Sequence, residues 1–387
     1  MFAQAEHFRQ QGFAPLKEER PSVVLVFGSP ALLFHPMQIL PRRSTLKSTG
    51  VVSTGVSAEE TATASIEAVS LKPELTGRML GGCRIDRMLG QGCMGQVYKG
   101  HHPMLDRPVA IKVLPPSLAE SEERRARLRQ EARIAAALRH PNIVQIYDFG
   151  EVGGLMYLIM EYIDGTNLKG RLSQLRRVGE IMALGEAVGI AAQLARALAY
   201  AHGQGAIHRD LKPANVLLTE ADQAILVDFG LALMRGGTRL TAPGTVWGSP
   251  TYIAPEQLGE TPQVDARSDL YSLGVVLYEM VTGRPPFKAD SIVETLWQQA
   301  KVPPCPPREL APDVPKELET IILRTLAKQP HDRFGNAQEL ADALSAVGIL
   351  SGESRLLRTP CWENNSQGHP TWASCEIPTT EHCIRSE

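Results

Sequence analysis

Ile207-His208-Arg209-Asp210-Leu211-Lys212-Pro213-Ala214-Asn215-Val216-Leu217-Leu218 is the stretch whose reading decides the fold. It sets an acid, a base and an amide side by side, just ahead of a short apolar run. Downstream, Ile225-Leu226-Val227-Asp228-Phe229-Gly230 is a second apolar run that ends in an acid. Thr219 to Gln223 between them are polar and turn-like, so the two runs read as a hairpin that brings Asn215 close to Asp228. Two oxygen ligands beside a phosphate site suit Mg2+, which keeps several waters and takes few protein carboxylates. Asp210 is then free to accept a proton, and Lys212 to neutralise a migrating phosphoryl group.

Upstream, Gly90-Gln91-Gly92-Cys93-Met94-Gly95 is a GxGxxG string. A dinucleotide site carries the same string, but there it runs from strand into helix. Here Gln96-Val97-Tyr98-Lys99-Gly100 follows, which is strand-like. The glycines therefore sit at a hairpin tip, where backbone N–H groups can approach a phosphate chain closely; an ordinary tight hairpin carries the same pattern. Next, Val109-Ala110-Ile111-Lys112 buries a lysine in an apolar strand, which is costly unless the charge is paired. The following helix, starting near Ser121, puts Leu128, Glu131, Ala135 and Leu138 on one face, apolar apart from Glu131. An inward acid and a buried amine suggest a Lys112–Glu131 salt bridge. Arg124, Arg125, Arg127 and Arg129 fall mostly on other faces and read as solvated.

The surrounding chain divides into three zones. Residues 1–79 are irregular, with a Ser- and Thr-dense stretch from Ser44 to Ser65 that cannot bury enough surface to offset its ordering entropy. Residues 80–348 are regularly patterned, and 349–387 are polar again. The middle zone opens with strands over 80–161 and turns helical over 164–348. Ala187 to His202, Ser272 to Val281, Ile321 to Lys328 and Ala337 to Val347 read as helices. Strands followed by helices indicate an α+β fold of two lobes. The net charge of −2 offers no basic field for nucleic acid or an anionic membrane. Six cysteines fit a reducing compartment rather than a disulfide scaffold. No stretch reaches the roughly 18 apolar residues of a membrane span, so the expected location is cytoplasmic. Cys361, His369, Cys375, His382 and Cys383 match no zinc module, and the proline-rich Val302 to Pro315 reads as a connection between helices.

Taken in order, these strings resemble a eukaryotic-type (Hanks-type) serine/threonine protein kinase of the bacterial subgroup. The resemblance rests on the glycine loop, Val-Ala-Ile-Lys at 109–112, His-Arg-Asp at 208–210, Asp-Phe-Gly at 228–230 and Ala-Pro-Glu at 254–256. His140-Pro141-Asn142-Ile143-Val144 and Asp269-Leu270-Tyr271-Ser272-Leu273-Gly274 match as well.

The resemblance implies a bilobal protein-kinase fold and transfer of the ATP γ-phosphate to Ser or Thr hydroxyls of proteins, with Mg2+. Lys112 would hold the α- and β-phosphates and Glu131 would hold Lys112. Asp210 would orient the acceptor hydroxyl, and Asn215 and Asp228 would ligate the metal. Leu89, Gly90, Gln91, Gly92, Cys93, Met94 and Gly95 would cover the nucleotide. Val97, Ala110 and Leu217 would sandwich the adenine, and Met160, Glu161 and Ile163 would form the hinge beside it. Lys212 argues for Ser or Thr acceptors. Arg209 implies control by phosphorylation of the loop from Asp228 to Glu256, at Thr241 or Thr245, with self-association for trans-autophosphorylation. Glu256 with Arg333, and Asp269, would have structural roles. The competing classes are a non-catalytic scaffold, which would be expected to lack Lys112, Asp210 or Asp228, and a small-molecule kinase, which the long segment ending in Ala-Pro-Glu disfavours.

Overall fold

The computed structural model describes residues 75–92, 95–119, 121–229, 250–258 and 264–348, with two short strands at 362–364 and 370–372. Cys93, Met94, Gly230, Thr238, Thr241, Thr245, Ser249, the Ser44 to Ser65 stretch and the cysteines and histidines of the tail lie outside them.

A sheet forms the first lobe. Its strands are β1 (Met79–Leu80), β2 (Cys83–Gly92), β3 (Gly95–His102), β4 (Arg107–Val113), β5 (Ile146–Val152) and β6 (Leu155–Glu161), in the antiparallel order β1-β2-β3-β4-β6-β5. One sheet face buries Ile85, Tyr98, Val109, Ile111, Val113 and Ile159. Leu75 joins that cluster and the Gly77 N–H donates to the Ile85 carbonyl, so packing begins ahead of the expected start at 80.

The other face takes helix α1 (Glu122–Ala137), which starts where its cap permits: the Ser121 Oγ accepts from the Arg124 N–H at 3.2 Å. The expected stripe is buried, with Leu128 0%, Glu131 7%, Ala135 4% and Leu138 1% exposed. The outer arginines pair at the surface, Arg127 with Glu123 and Arg129 with Glu122.

The second lobe is helical: α2 (Leu168–Arg177), α3 (Leu184–Gly203), α4 (Ala266–Thr282), α5 (Ile292–Lys301), α6 (Pro307–Leu310), α7 (Lys316–Thr325) and α8 (Ala337–Ala346). Thus α7 ends earlier than the expected helix to Lys328, and the proline-rich connection contains the one-turn α6. Helix α4 is buried from Ser268 to Thr282, which explains its near-continuous apolar sequence. Asp265 caps its start, and Gly283, at φ 76, closes its end with an N–H donated to the Glu279 carbonyl. A small sheet of β7 (Thr166–Asn167), β8 (Val216–Leu218) and β9 (Ala224–Leu226) carries the expected hairpin. It is tied to the first lobe through the Val144 N–H to Leu226 carbonyl bond and the Asn142 side chain, which donates to the Ala224 carbonyl.

Arg333 locks the base of the helical lobe. It is 2% exposed and gives Glu256 two bonds, at 2.7 and 2.8 Å, while the carbonyls of Arg267, Ala327 and Lys328 take its other N–H groups. Removing one partner of such a pair strands the other charge. Arg333→Met is therefore expected to cost about 3–5 kcal/mol in urea unfolding. An unchanged midpoint and slope would show that the pair is not structural.

Candidate functional site

The catalytic-loop geometry begins with a buried carboxylate. Asp269, 0% exposed, accepts from the backbone N–H groups of His208 (2.8 Å) and Arg209 (2.7 Å) and from His202 Nε2 (2.8 Å). Burial by itself would raise this carboxyl, but His202 and the amide donors outweigh it and hold it below its ordinary value. The brace fixes Arg209 at φ 66, a strained conformation for a residue with a side chain.

The loop then turns back on itself. The Asp210 N–H donates to His208 Nδ1 (3.2 Å) and His208 Nε2 bonds the Val227 carbonyl (2.9 Å). Together these bonds require the Nε2–H tautomer. The His208 ring also meets Phe229 edge-on, with centroids 4.7 Å apart. Asp210 Oδ2 accepts from Lys212 Nζ (2.5 Å) and from Asn215 Nδ2 (3.2 Å), and Asn215 Nδ2 also bonds the Asp210 carbonyl (2.9 Å). With its amide nitrogen committed to Asp210, Asn215 keeps its oxygen for a cation. Asp228, at φ 68, lies at the far end of the hairpin. A carboxylate and an amide oxygen form a donor set suited to a hard cation such as Mg2+.

Lys112 is 2% exposed on β4, and here the structure corrects the sequence reading. Its ammonium pairs with Asp228 Oδ1 at 2.7 Å, not with Glu131. Burial would raise the Asp228 carboxyl, but Lys112 reverses this and holds it low. The left-handed backbone at Asp228 accompanies this carboxylate's approach to β4. Glu131 lies inward as expected, yet among the described residues neither carboxylate oxygen has a hydrogen-bond partner. Desolvation pushes it up to about 7, against the smaller opposing pull of Arg209 and Arg127. Arg209 in turn has Nε and Nη1 buried without a hydrogen-bond partner among the described residues.

The glycine string lies on the paired ends of β2 and β3, with Gly92 opposite Gly95. Gly95 is obligatory: it sits at φ 117, and a Cβ there would run into the Val113 carbonyl. At Gly90 and Gly92 a Cβ would meet nothing within 4 Å, so packing does not demand glycine there. Leu89 is 40% exposed beside them. Ala110 and Met160 are register partners on β4 and β6, and Ile163 and Leu217 pack against the same apolar cluster. Val97 lies opposite Lys112 on the neighbouring strand. The Glu161 N–H is committed to the Gln145 carbonyl.

The protein kinase domain family matches residues 83–344. This chain belongs to the protein kinase family. It is 41% identical over 276 residues to the serine/threonine-protein kinase PknH of Mycobacterium bovis, covering 71% of this chain and 45% of that protein. It is 41% identical over 270 residues to PknB of Mycolicibacterium smegmatis, covering 68% and 42%. The chain thus matches less than half the length of these relatives. The crystal structure of the Mycobacterium tuberculosis PknI kinase domain superposes with a TM-score of 0.57 at 34% identity, covering 70% of this chain and 98% of that one. Among the described residues, no helix of this kinase is long and apolar enough to cross a membrane.

Two features escaped the sequence reading. One is His202, the third partner of Asp269, whose position at the end of α3 gives no periodic signal. The other is the capture of Lys112 by Asp228. The unpartnered Glu131 gives a pH test. Its folded pKa of about 7 exceeds its ordinary 4.5, so between those values the folded chain holds a proton that the unfolded chain has released. The stability this proton confers is complete below that window and is lost as pH rises through about 7. Glu131→Gln mimics the protonated acid. In nucleotide-free protein it is expected to match wild type near pH ~4 and to exceed it by up to about 3 kcal/mol near pH ~8. A stability difference that does not change with pH would contradict the assignment.

Proposed function

We propose that this kinase transfers the γ-phosphate of ATP to Ser or Thr hydroxyls of protein substrates. The observation that carries the reading is the arrangement around Asp210. Its carboxylate is held by Lys212 and Asn215, on a loop braced by Asp269, beside the Lys112–Asp228 pair. Asp210 is placed to orient an acceptor hydroxyl and take its proton, and Lys212 to neutralise charge on the phosphoryl group in transit. Lys112 would hold the α- and β-phosphates, while the open space beside Gly90 and Gly92 leaves room for them. Mg2+, held by Asp228 and the Asn215 oxygen, would supply charge neutralisation between the phosphates.

In this reading Lys112 exchanges partners. With Asp228 committed to a metal, the Lys112 ammonium would be free to bind the phosphates and Glu131, and Glu131 would then be held ionised. The buried, unpartnered nitrogens of Arg209 supply a site for a phosphate on Thr241 or Thr245, consistent with activation by autophosphorylation. The names of the relatives, serine/threonine-protein kinases, support Ser and Thr as acceptors over a small molecule or a purely binding role.

Incubation with labelled ATP and Mg2+ tests the reading. Wild type is expected to label itself and an acceptor protein, but not an aminoglycoside or choline. Asp210→Asn is expected to lower kcat by about 10²–10⁴, with ATP binding retained. Lys112→Met and Asp228→Ala are expected to abolish labelling. Equal incorporation by wild type and all three variants would refute the assignment.

A further inference from the structure

Lys328 carries a partly buried side-chain amine that the reaction does not use. It follows α7 and sits among carbonyls rather than carboxylates. Its Nζ donates to the Gln299 carbonyl (2.7 Å), the Gln298 carbonyl (3.2 Å) and the Tyr271 hydroxyl (3.3 Å), and lies 3.8 Å from the centroid of the Phe287 ring. Among the described residues, no carboxylate pairs with it. Burial, and then the charge of Arg333, pull it down to about 7. An ammonium kept in such a place needs strong acceptors. The two carbonyls belong to the last turn of α5, where a cation also meets the negative end of the helix dipole.

The bonds do not stop at α5. Gln299 is 0% exposed; its Oε1 accepts from the Tyr271 hydroxyl (2.5 Å), and its Nε2 donates to the Thr251 carbonyl. Thr251 lies in the turn Pro250–Tyr252, near the end of the activation segment. The same turn is held by Ser272, whose Oγ donates to the Tyr252 carbonyl (2.8 Å), and by Glu279, which accepts from the Tyr252 hydroxyl (2.6 Å). Just beyond it, Gln257 Nε2 donates to the Arg209 carbonyl of the catalytic loop (3.4 Å). This bond ties the segment just after the turn to the residue before Asp210, so in the kinase reading the turn supports the acceptor segment. Ser272 and Glu279 come from the rigid α4, whereas the Gln299 support comes from α5, whose last turn Lys328 bonds.

We infer that Lys328 is a positioning residue for protein-substrate binding, acting through Gln299 on the Thr251 turn. This rests on the kinase reading above. Without the ammonium, the last turn of α5 loses its cationic cap and Gln299 loses its fixed aim at Thr251. Among the described residues, Lys112, Asp228 and Asn215 share no hydrogen bond with Lys328, Gln299 or Thr251. The consequence is selective: acceptor binding weakens while ATP binding does not.

Steady-state kinetics on the full chain, with myelin basic protein as acceptor, separate these effects. Lys328→Met and Gln299→Ala are each expected to raise the acceptor KM about tenfold, the scale for losing a hydrogen bond to a charged group, and to leave the ATP KM unchanged. The double variant is expected to be no worse than either single one, because both break one chain. Lys328→Arg is expected to restore part of the acceptor KM. If Lys328→Met does not fold, Gln299→Ala carries the test alone. An unchanged acceptor KM in Gln299→Ala, a parallel rise in both KM values, or additive effects would overturn the inference. Absence of transfer by wild type would instead overturn the kinase reading on which it rests.

Discussion

An ammonium and a carboxylate 2.7 Å apart, Lys112 on the sheet and Asp228 beyond the β8–β9 hairpin, set the state of the whole cleft. A lysine that is 2% exposed needs a counter-charge, and two acids are available to supply one. Asp228 takes the amine and is stabilised as a carboxylate. Glu131 is left in a dry site, where its cheapest form near neutral pH is protonated. The two carboxylates are thus poised in opposite protonation preferences by competition for a single cation. A divalent cation that draws Asp228 away would reverse the competition.

The second constraint is rigid rather than switchable. Asp269 receives three donors in the core of the helical lobe and holds the two residues before Asp210 in place. Arg209 is kept in a left-handed conformation that would cost on the order of 1–3 kcal/mol unless the surroundings imposed it. The buried α4 supplies Asp269, Ser272 and Glu279 from one face of a single helix, so the loop before Asp210 and the Pro250–Tyr252 turn share one support.

Much of this could be read from residues alone. The hairpin joining Asn215 to Asp228 was legible because polar turn residues separate two apolar runs. The burial of Glu131 was legible because Leu128, Ala135 and Leu138 share its helical face. The partner of Lys112 was not. Periodicity reports which face a side chain occupies, not which of two acids lies nearer an amine. That depends on the backbone at Asp228, whose φ of 68 no local pattern announces. The roles of His202 and Lys328 were hidden for a related reason. Each acts through partners distant in sequence, Asp269 for one and the last turn of α5 for the other, and neither stands in a motif with its partners.

The exchange of partners at Lys112 is the centre of the account. A crystal structure of the chain with a non-hydrolysable ATP analogue and Mg2+ examines it directly. The account predicts the metal on Asp228 and Asn215, the phosphates on Lys112, and the Lys112 ammonium within ion-pair distance of Glu131. A bound nucleotide with Lys112 still on Asp228, no metal between Asp228 and Asn215, and Glu131 still unpartnered would contradict it.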